Sequence, residues 1–346
     1  MKAFYLHRDI KPEELPSTLT NDAPPPICEP GSSEVLIDVY SAALNFFDIL
    51  AIQGKYQVKY PHPYVPGVEL AGVISKNSPI PEGCDFIPGK TRVFGAAQGA
   101  YGEQAKADCW QLMEVPEGMS FEEASGLFVT WPTSYAALKF RADLQPDEWV
   151  LVHAGAGGVG LCAIQIAKAM GAKVIATAGT PDKLRVCKDI GGADYAINYR
   201  DKDWQQQVKD ITDGHGVDVV YDPVGLIIPS LKVIAWNGRI IVVGFVAGSI
   251  EKIPANLILL KNVAVTGVHW GAYSRNEPDK IPETWIALME LFASKRIKPT
   301  VFERIYEGLE SVPEGLNDLA SRKTWGKAVV RVRADPLHPP KGRGKL

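Results

Sequence analysis

The segment HAGAGGVG at residues 153–160 restricts the possible folds of this chain more than any other part of the sequence. Its glycines fit the pattern G-x-G-x-x-G, and the pattern is informative here because a predicted strand (149–153) precedes it and a predicted helix (159–170) follows it. Glycines allow a tight turn close to a pyrophosphate, and the helix N-terminus offers N–H groups to its charge. This context predicts dinucleotide contacts at Gly155, Gly157, Gly158, Val159 and Gly160.

Apolar strands alternate with helices through the middle of the chain. Beyond the glycine-rich loop, strands are predicted at 173–178, 217–221, 238–243 and 263–268, with helical segments between them. Continuous apolar strands that alternate with helices form a parallel sheet covered on both faces. Residues 129–270 are therefore expected to form a doubly wound α/β domain of the Rossmann type.

The part of the chain up to residue 128 has a different texture. It is rich in Pro and Gly, and short strands such as 35–40 and 92–95 lie between turn residues. Many short strands with this punctuation are typical of an all-β, barrel-like unit. The chain returns to strand at 327–332, so we expect residues 1–128 to form a β domain that about 271–346 complete.

Composition excludes several classes of protein. The 346 residues are 46% hydrophobic and carry a net charge of −3, so the chain is globular and has no basic field for nucleic acid or an anionic membrane. No apolar run reaches the roughly 18 residues of a membrane span, and we expect no leader at the N-terminus. Five scattered cysteines indicate free thiols in a reducing compartment. We expect a cytoplasmic enzyme; its last residues, Gly344-Lys345-Leu346, differ from the peroxisomal signal S-K-L by Gly in place of Ser.

The end of the strand at 173–178 bears on which dinucleotide is bound. NAD enzymes place an acidic residue there to hold the ribose 2′-OH, whereas this chain has Gly179 and Thr180. Lys183 follows one turn into the next helix, where its charge attracts a 2′-phosphate. Asp182 is also present, and at a helix start it serves the helix dipole. The pattern favours NADP, although Lys183 has a second interpretation as a solvated surface lysine.

Further segments share a family pattern with the glycine-rich loop. They are Asn45-Phe46-Phe47-Asp48, Gln53-Gly54-Lys55-Tyr56, Pro66-Gly67-Val68-Glu69-Leu70-Ala71-Gly72, Thr130-Trp131-Pro132-Thr133-Ser134-Tyr135, Ala196-Ile197-Asn198-Tyr199, Asp222-Pro223-Val224-Gly225 and Val243-Gly244-Phe245. In this order, over residues 1 to about 333, the chain resembles the zinc-free quinone oxidoreductases, the zeta-crystallin-like branch of the medium-chain dehydrogenase/reductase superfamily.

This resemblance implies a fold and a set of cofactor contacts. The fold is a Rossmann domain inserted into a GroES-like β-barrel domain, and the cofactor is NADPH. By the family pattern, the residues around the 2′-phosphate are Gly179, Lys183 and Tyr199, with Thr180 at the same strand tip. The residues near the nicotinamide half are Asn45, Thr130 and Phe245.

The chain departs from its zinc-dependent relatives at two ligand positions. Asn45 stands where they carry Cys, and Val68 stands where they carry His. A catalytic zinc ion would therefore lack two of its usual three protein ligands. We expect no metal.

Without zinc, other groups must stabilise charge at the substrate oxygen. Asn45 can donate an amide hydrogen bond, Asp48 can orient it, and Tyr56 can donate a hydrogen bond or a proton. Each has a plainer interpretation: Asn45 and Asp48 also form turns, and a loop tyrosine often only packs. Water is the alternative proton donor to Tyr56.

These observations favour an NADPH-dependent, zinc-free reductase. Its hydride acceptor would be a quinone or the C=C bond of an α,β-unsaturated carbonyl compound. The alternative is an NADPH-binding protein with a mainly non-catalytic role, as an RNA-binding protein or scaffold, which the low net charge disfavours for RNA. An apolar strand at 263–268 at the edge of the sheet would need cover, so we also expect a homodimer.

Overall fold

The structure is a computed structural model that describes residues 1–246, 248 and 250–335. The tail Gly344-Lys345-Leu346 lies outside these residues. The chain forms two compact units. The first unit contains Met1–Val129 and the segment that begins at Val301, and the second unit is Thr130–Thr300.

The described residues contain fifteen strands and eleven α-helices. The strands are β1 (Ala3–Phe4), β2 (Leu19–Thr20), β3 (Glu34–Ala43), β4 (Glu69–Ile74), β5 (Arg92–Ala96), β6 (Gln104–Asp108), β7 (Leu112–Glu114), β8 (Trp149–Val152), β9 (Lys173–Ala178), β10 (Tyr195–Asn198), β11 (Val217–Asp222), β12 (Ile234–Val242), β13 (Ala264–Gly267), β14 (Tyr306–Glu307) and β15 (Val329–Arg331). The helices are α1 (Phe46–Ala51), α2 (Phe121–Ser125), α3 (Thr130–Ala136), α4 (Gly158–Ala169), α5 (Pro181–Asp189), α6 (Trp204–Ile211), α7 (Ile227–Ser230), α8 (Ala255–Lys261), α9 (Tyr273–Asn276), α10 (Lys280–Ala293) and α11 (Val312–Ala320). None of these helices is long and apolar enough to cross a membrane.

The first unit is built on a seven-stranded, mostly antiparallel sheet. Its order is β14-β15-β3-β4-β5-β7, and β6 pairs with β3. Strand β3 alternates buried and half-buried residues, as expected for a strand with one face on a core. Its inward side chains, among them Val35, Ile37 and Val39, join a single hydrophobic cluster that also contains residues of β15 and α11. The segment that begins at Val301 therefore contributes to the core of this unit.

The second unit is a six-stranded parallel sheet. The strand order is β10-β9-β8-β11-β12-β13, which is the 3-2-1-4-5-6 order of a Rossmann fold. The central strands β8, β9 and β11 are buried along almost their whole length, which explains why they are continuously apolar in sequence. The predicted α/β fold is confirmed.

The second boundary between the units differs from the sequence expectation. Residues 271–300 were expected to belong with the β domain, but they group with the second unit, which ends at Thr300. The reason is the packing of α10 against α3: the Phe292 and Trp131 rings meet edge to face, with centroids 4.9 Å apart. The buried apolar side chains of α10, which are Trp285, Leu288 and Phe292, belong to the face that packs against the α/β unit.

Candidate active site

The glycine-rich loop joins β8 to the N-terminus of α4. The N–H of Gly155 donates to the Thr177 carbonyl of β9 at 2.8 Å, which fixes the loop against the sheet. A Cβ at Gly160 would overlap the Ala154 carbonyl oxygen, so only glycine allows this turn. The helix begins at Gly158, and its N-cap residue Gly157 has no side-chain capping bond. The first-turn N–H groups, including that of Val159, are thus suited to an anion.

Four predicted cofactor residues lie together beyond the ends of β9 and β10. The strands are paired in parallel with Ala178 opposite Asn198, so the residues after them share one edge of the sheet. The Tyr199 hydroxyl lies over Gly179, 2.7 Å from where a Cβ would stand, so any larger residue would displace it. Thr180 caps α5 by accepting the N–H of Lys183 at 3.4 Å. Gly179, Thr180, Lys183 and Tyr199 therefore form one cluster, which we call the Tyr199 cluster.

Two basic residues, Lys183 and Arg200, belong to this cluster or directly follow it in sequence. The Asp182 carboxylate, which complicated the choice of cofactor, is paired with Arg185 on the outside of α5. The guanidinium of Arg200 lies 6.0 Å from the centre of the Tyr199 ring. Sequence reasoning did not single out Arg200, although it directly follows the Ala196–Tyr199 motif. The cluster offers a hydroxyl and cations where NAD enzymes offer a carboxylate.

The remaining two cofactor candidates of the second unit are in different settings. Thr130 opens α3 and is buried, and its Oγ1 accepts a hydrogen bond from the Cys162 thiol at 3.4 Å. Phe245 follows β12 and is exposed. Its loop is held to the loop after β11, because the Val246 N–H donates to the Pro223 carbonyl at 3.2 Å. Phe245 therefore lies, like the glycine-rich loop, at the carboxyl ends of the parallel strands.

Asn45 is the N-cap residue of α1 in the first unit, and its carboxamide is held by an ion pair. Its Nδ2 donates to Glu69 Oε2 at 3.0 Å, and its Oδ1 accepts from Lys327 Nζ at 2.7 Å. Lys327 also donates to Glu69 Oε2 at 2.7 Å, which closes a triangle of three buried groups. The other oxygen of Glu69 accepts the N–H of Val129 at 2.9 Å.

Contrary to the expectation from sequence, the Asp48 carboxylate accepts no hydrogen bond from the Asn45 carboxamide. Its Oδ2 accepts the backbone N–H of Asn45 at 2.8 Å and the hydroxyl of Tyr101 at 2.7 Å, so it fixes the start of α1 instead. The pKa of Asp48 is raised to about 7, because the effect of burial is larger than the opposite effect of the hydrogen bonds from Tyr101 and Asn45. Asp48 therefore titrates near neutral pH.

Tyr56 lies on the loop after α1, where its ring stacks on Phe47 with centroids 5.2 Å apart. The side chain is half-buried. Burial and, to a smaller degree, the nearby Asp48 carboxylate raise the pKa of the phenol above its usual value of 10. Tyr56 is therefore a hydrogen-bond donor rather than a base at neutral pH. Both the packing role and a donor role are compatible with this position.

The residues that fit a cofactor are those of the second unit, and none of the described residues forms a cluster that fits a metal. The glycine-rich turn, the free start of α4 and the Tyr199 cluster together suit a dinucleotide phosphate. No group of three or more His, Cys, Asp or Glu side chains in the described part of the chain is arranged to hold a metal ion. The position equivalent to a zinc ligand, Asn45, is instead next to the Lys327 ammonium.

Sequence reasoning missed the groups that surround Asn45 and Asp48. Glu69 was noticed only as part of a matching segment, and Lys327 only as the start of the last strand. A lysine directly before the apolar run Ala328-Val329-Val330 was the available signal, because a charged residue is buried only with a partner. Tyr101 gave no signal in sequence.

The chain matches two family descriptions. Residues 31–117 match the alcohol dehydrogenase GroES-like domain, and residues 158–294 match the zinc-binding dehydrogenase domain. Among curated proteins, it is 37% identical to a quinone oxidoreductase-like protein 2 homolog of Nematostella vectensis, over 88% of this chain and 83% of that protein. It is 33% identical to quinone oxidoreductase 1 of Escherichia coli, over 87% of this chain and 92% of that protein.

Solved structures agree with these relatives. The E. coli quinone oxidoreductase complexed with NADPH has a TM-score of 0.83 and 31% identity, over 96% of this chain and all of that one. A probable oxidoreductase from Mycobacterium abscessus has the same TM-score and 33% identity, over 96% of this chain and 98% of that chain. Since the likeness in sequence and in structure extends over both units, the chain belongs to the quinone oxidoreductase family of the medium-chain dehydrogenase/reductase superfamily.

Proposed function

We propose that the chain is an NADPH-dependent oxidoreductase that passes a hydride to a quinone or to the C=C bond of an α,β-unsaturated carbonyl compound, without zinc. The cluster of Gly179, Thr180, Lys183 and Tyr199 carries the proposal, because it suits a 2′-phosphate and contains no carboxylate. Solved relatives from E. coli and Thermus thermophilus are complexed with NADPH, which supports the same choice.

Bound NADPH supplies a hydride from its nicotinamide ring. An acceptor that takes this hydride develops negative charge on its oxygen, and the protein lowers the barrier by placing donors there in advance. Asn45 provides an amide N–H, and Tyr56 provides a phenol that stays protonated. Tyr56 or water would then supply the proton that completes a quinol or a saturated ketone.

The function is tested by a screen of hydride acceptors. Purified protein is mixed with NADPH, or in parallel with NADH, and a panel of quinones and enones, and loss of absorbance at the reduced cofactor band is followed. We expect turnover with at least one class and a preference for NADPH. Elemental analysis of the same sample should show no zinc in stoichiometric amount. Tight NADPH binding without turnover of any acceptor would favour the non-catalytic alternative.

The choice of cofactor predicts a differential effect of Lys183→Ala. A charge-assisted hydrogen bond to the 2′-phosphate contributes about 1.5–3 kcal/mol, so its loss should raise the KM for NADPH roughly tenfold to a hundredfold. The KM for NADH, which lacks this phosphate, should hardly change. Lys188→Ala, an exposed lysine of the same helix, is the matched control and should affect neither cofactor. Equal losses with both cofactors would contradict the assignment of Lys183.

The position of Asp48 predicts an unusual dependence of stability on pH. Its pKa is about 7 in the folded protein and 3.8 ordinarily, so the folded state holds its proton more tightly and stability is lost as pH rises between these values. Asp48→Asn removes this loss. The free energy of unfolding of the variant minus that of wild type should therefore increase by about 3 kcal/mol from pH 5 to pH 8. Chemical denaturation at each pH measures this difference.

Asp318→Asn is the control for this measurement. Burial opposes ionisation of Asp318, but hydrogen bonds from Lys323 and Tyr306 lower its pKa overall. It is therefore ionised in both states throughout pH 5–8, and the difference between this variant and wild type should stay constant over that interval. A constant difference for Asp48→Asn as well would show that Asp48 does not titrate as proposed.

We also propose that two copies pair through the edge of the parallel sheet. Strand β13 is the edge strand, and in the described residues it pairs only with β12. The preceding helix α8 exposes Leu259 and Leu260 by 78% and 70%, an apolar surface that a second copy would cover. Light scattering should give twice the 37.7 kDa of one chain at micromolar concentration.

Leu259→Glu with Leu260→Glu should reduce this mass to that of a monomer. Ile286→Glu is the control, because Ile286 is a comparably exposed apolar residue on α10. A monomer mass for the wild-type protein, or a dimer that survives the double substitution, would rule out this interface.

A further inference from the structure

The ion pair of Glu69 and Lys327 lies buried beside Asn45. Glu69 is fully buried, and Lys327 and Asn45 are exposed by only 3% and 6%. Burying two charges costs free energy that their mutual attraction only just offsets, so an apolar pair of similar volume would be at least as stable. Stability alone does not account for an ammonium and a carboxylate at this position.

The pair determines which way the Asn45 carboxamide faces. An ammonium can only donate hydrogen bonds and a carboxylate can only accept them. Lys327 Nζ at 2.7 Å therefore requires the carboxamide oxygen on its side, and Glu69 Oε2 at 3.0 Å requires the NH₂ group on the other. In the flipped orientation the NH₂ group of Asn45 would face the Lys327 ammonium, and its oxygen would face the Glu69 carboxylate.

The two charged side chains are themselves fixed. The second oxygen of Glu69 holds the backbone N–H of Val129 at 2.9 Å. The aliphatic stem of Lys327 passes over Gly126, where an added Cβ would come within 3.1 Å of it. The support of Asn45 is thus built from three separate segments of the first unit and does not depend on a surface side chain.

One hydrogen of the Asn45 NH₂ group is used by Glu69, and the second has no acceptor within the described ranges. A cation on Oδ1 withdraws electron density from the amide and makes its N–H groups stronger donors. We propose that Lys327, with Glu69 as its counter-ion, is a positioning residue for the reduction. It holds and polarises the Asn45 carboxamide so that its second N–H is available to the acceptor oxygen.

This inference rests on the proposed function, and it is tested with Lys327→Met/Glu69→Gln. Removing both charges together leaves neither unpaired. The single oxygen of the carboxamide introduced by Glu69→Gln can still accept from Asn45, while the hydrogen bond from the Val129 N–H is lost. We expect folding and the Kd for NADPH to stay near wild type, while kcat falls roughly tenfold to a hundredfold, as for loss of a charge-assisted hydrogen bond. Wild-type kcat in this variant would overturn the proposal.

A mutant cycle with Asn45→Ala tests whether Lys327 positions Asn45 or has only a structural role. If Lys327 acts through Asn45, combining Lys327→Met/Glu69→Gln with Asn45→Ala should lower kcat no further than Asn45→Ala alone. Losses that multiply would overturn the proposal, because Lys327 would then act independently of Asn45. The control pair is Arg239→Met/Glu148→Gln, a half-buried ion pair of the second unit, which should leave kcat unchanged.

A readout without turnover keeps this proposal distinct from the proposed function. With ¹⁵N-labelled asparagine, the side-chain amide signal of Asn45 is identified by its absence in Asn45→Ala. Loss of the ammonium from Oδ1 should move this signal in Lys327→Met/Glu69→Gln, in the absence of cofactor. An unmoved signal would overturn the proposal even if the enzyme is active, whereas a moved signal supports it even if no acceptor in the screen is reduced.

Discussion

The pairing of β15 with β3 is the interaction on which the first unit depends. The chain leaves this unit at Val129 and re-enters it at Val301, so the sheet is complete only when Val329 and Val330 pair with Ala43 and Ala42. Both valines are fully buried. The same pairing brings Lys327 to Asn45 across 282 positions of sequence, so the core of the unit and the support of its candidate catalytic residue form together.

The second unit depends on the order of its parallel strands. Because β8 lies at the centre, with β9 and β10 on one side and β11 and β12 on the other, every loop that follows these strands opens at the same edge. The glycine-rich loop follows β8, the Tyr199 cluster follows β9 and β10, and the Phe245 loop follows β12. The parallel order of the strands therefore places the glycine-rich loop, the Tyr199 cluster and the Phe245 ring at the carboxyl ends of the strands.

The two units use charge in different ways. At the sheet edge of the second unit, Lys183 and Arg200 lie near solvent, where a cation is inexpensive and attracts an anionic ligand. In the first unit, Lys327, Glu69 and Asp48 are buried, and each is tied to named partners. Buried charges of this kind are rigid and strongly interacting. They are suited to holding a neutral group such as the Asn45 carboxamide in one orientation.

Local pattern was sufficient to predict much of this protein. The Rossmann fold follows from strand–helix periodicity and from one glycine motif, since both reflect short-range geometry. The absence of an acidic residue at the end of β9 is equally visible in sequence, and so is Lys183 one turn later. The residues of this cluster come from two strand–helix connections that lie close together along the chain, so their proximity could be anticipated.

Only the tertiary structure decided where α10 belongs and what surrounds Asn45. The apolar stripe of α10 is compatible with either unit, and its contact with Trp131 settles the matter. The sequence by itself determined which side chains carry charge. That Lys327 and Glu69 lie side by side beneath Asn45 depends on antiparallel register between strands far apart in sequence, and a single residue of slip would have turned these side chains to the opposite face.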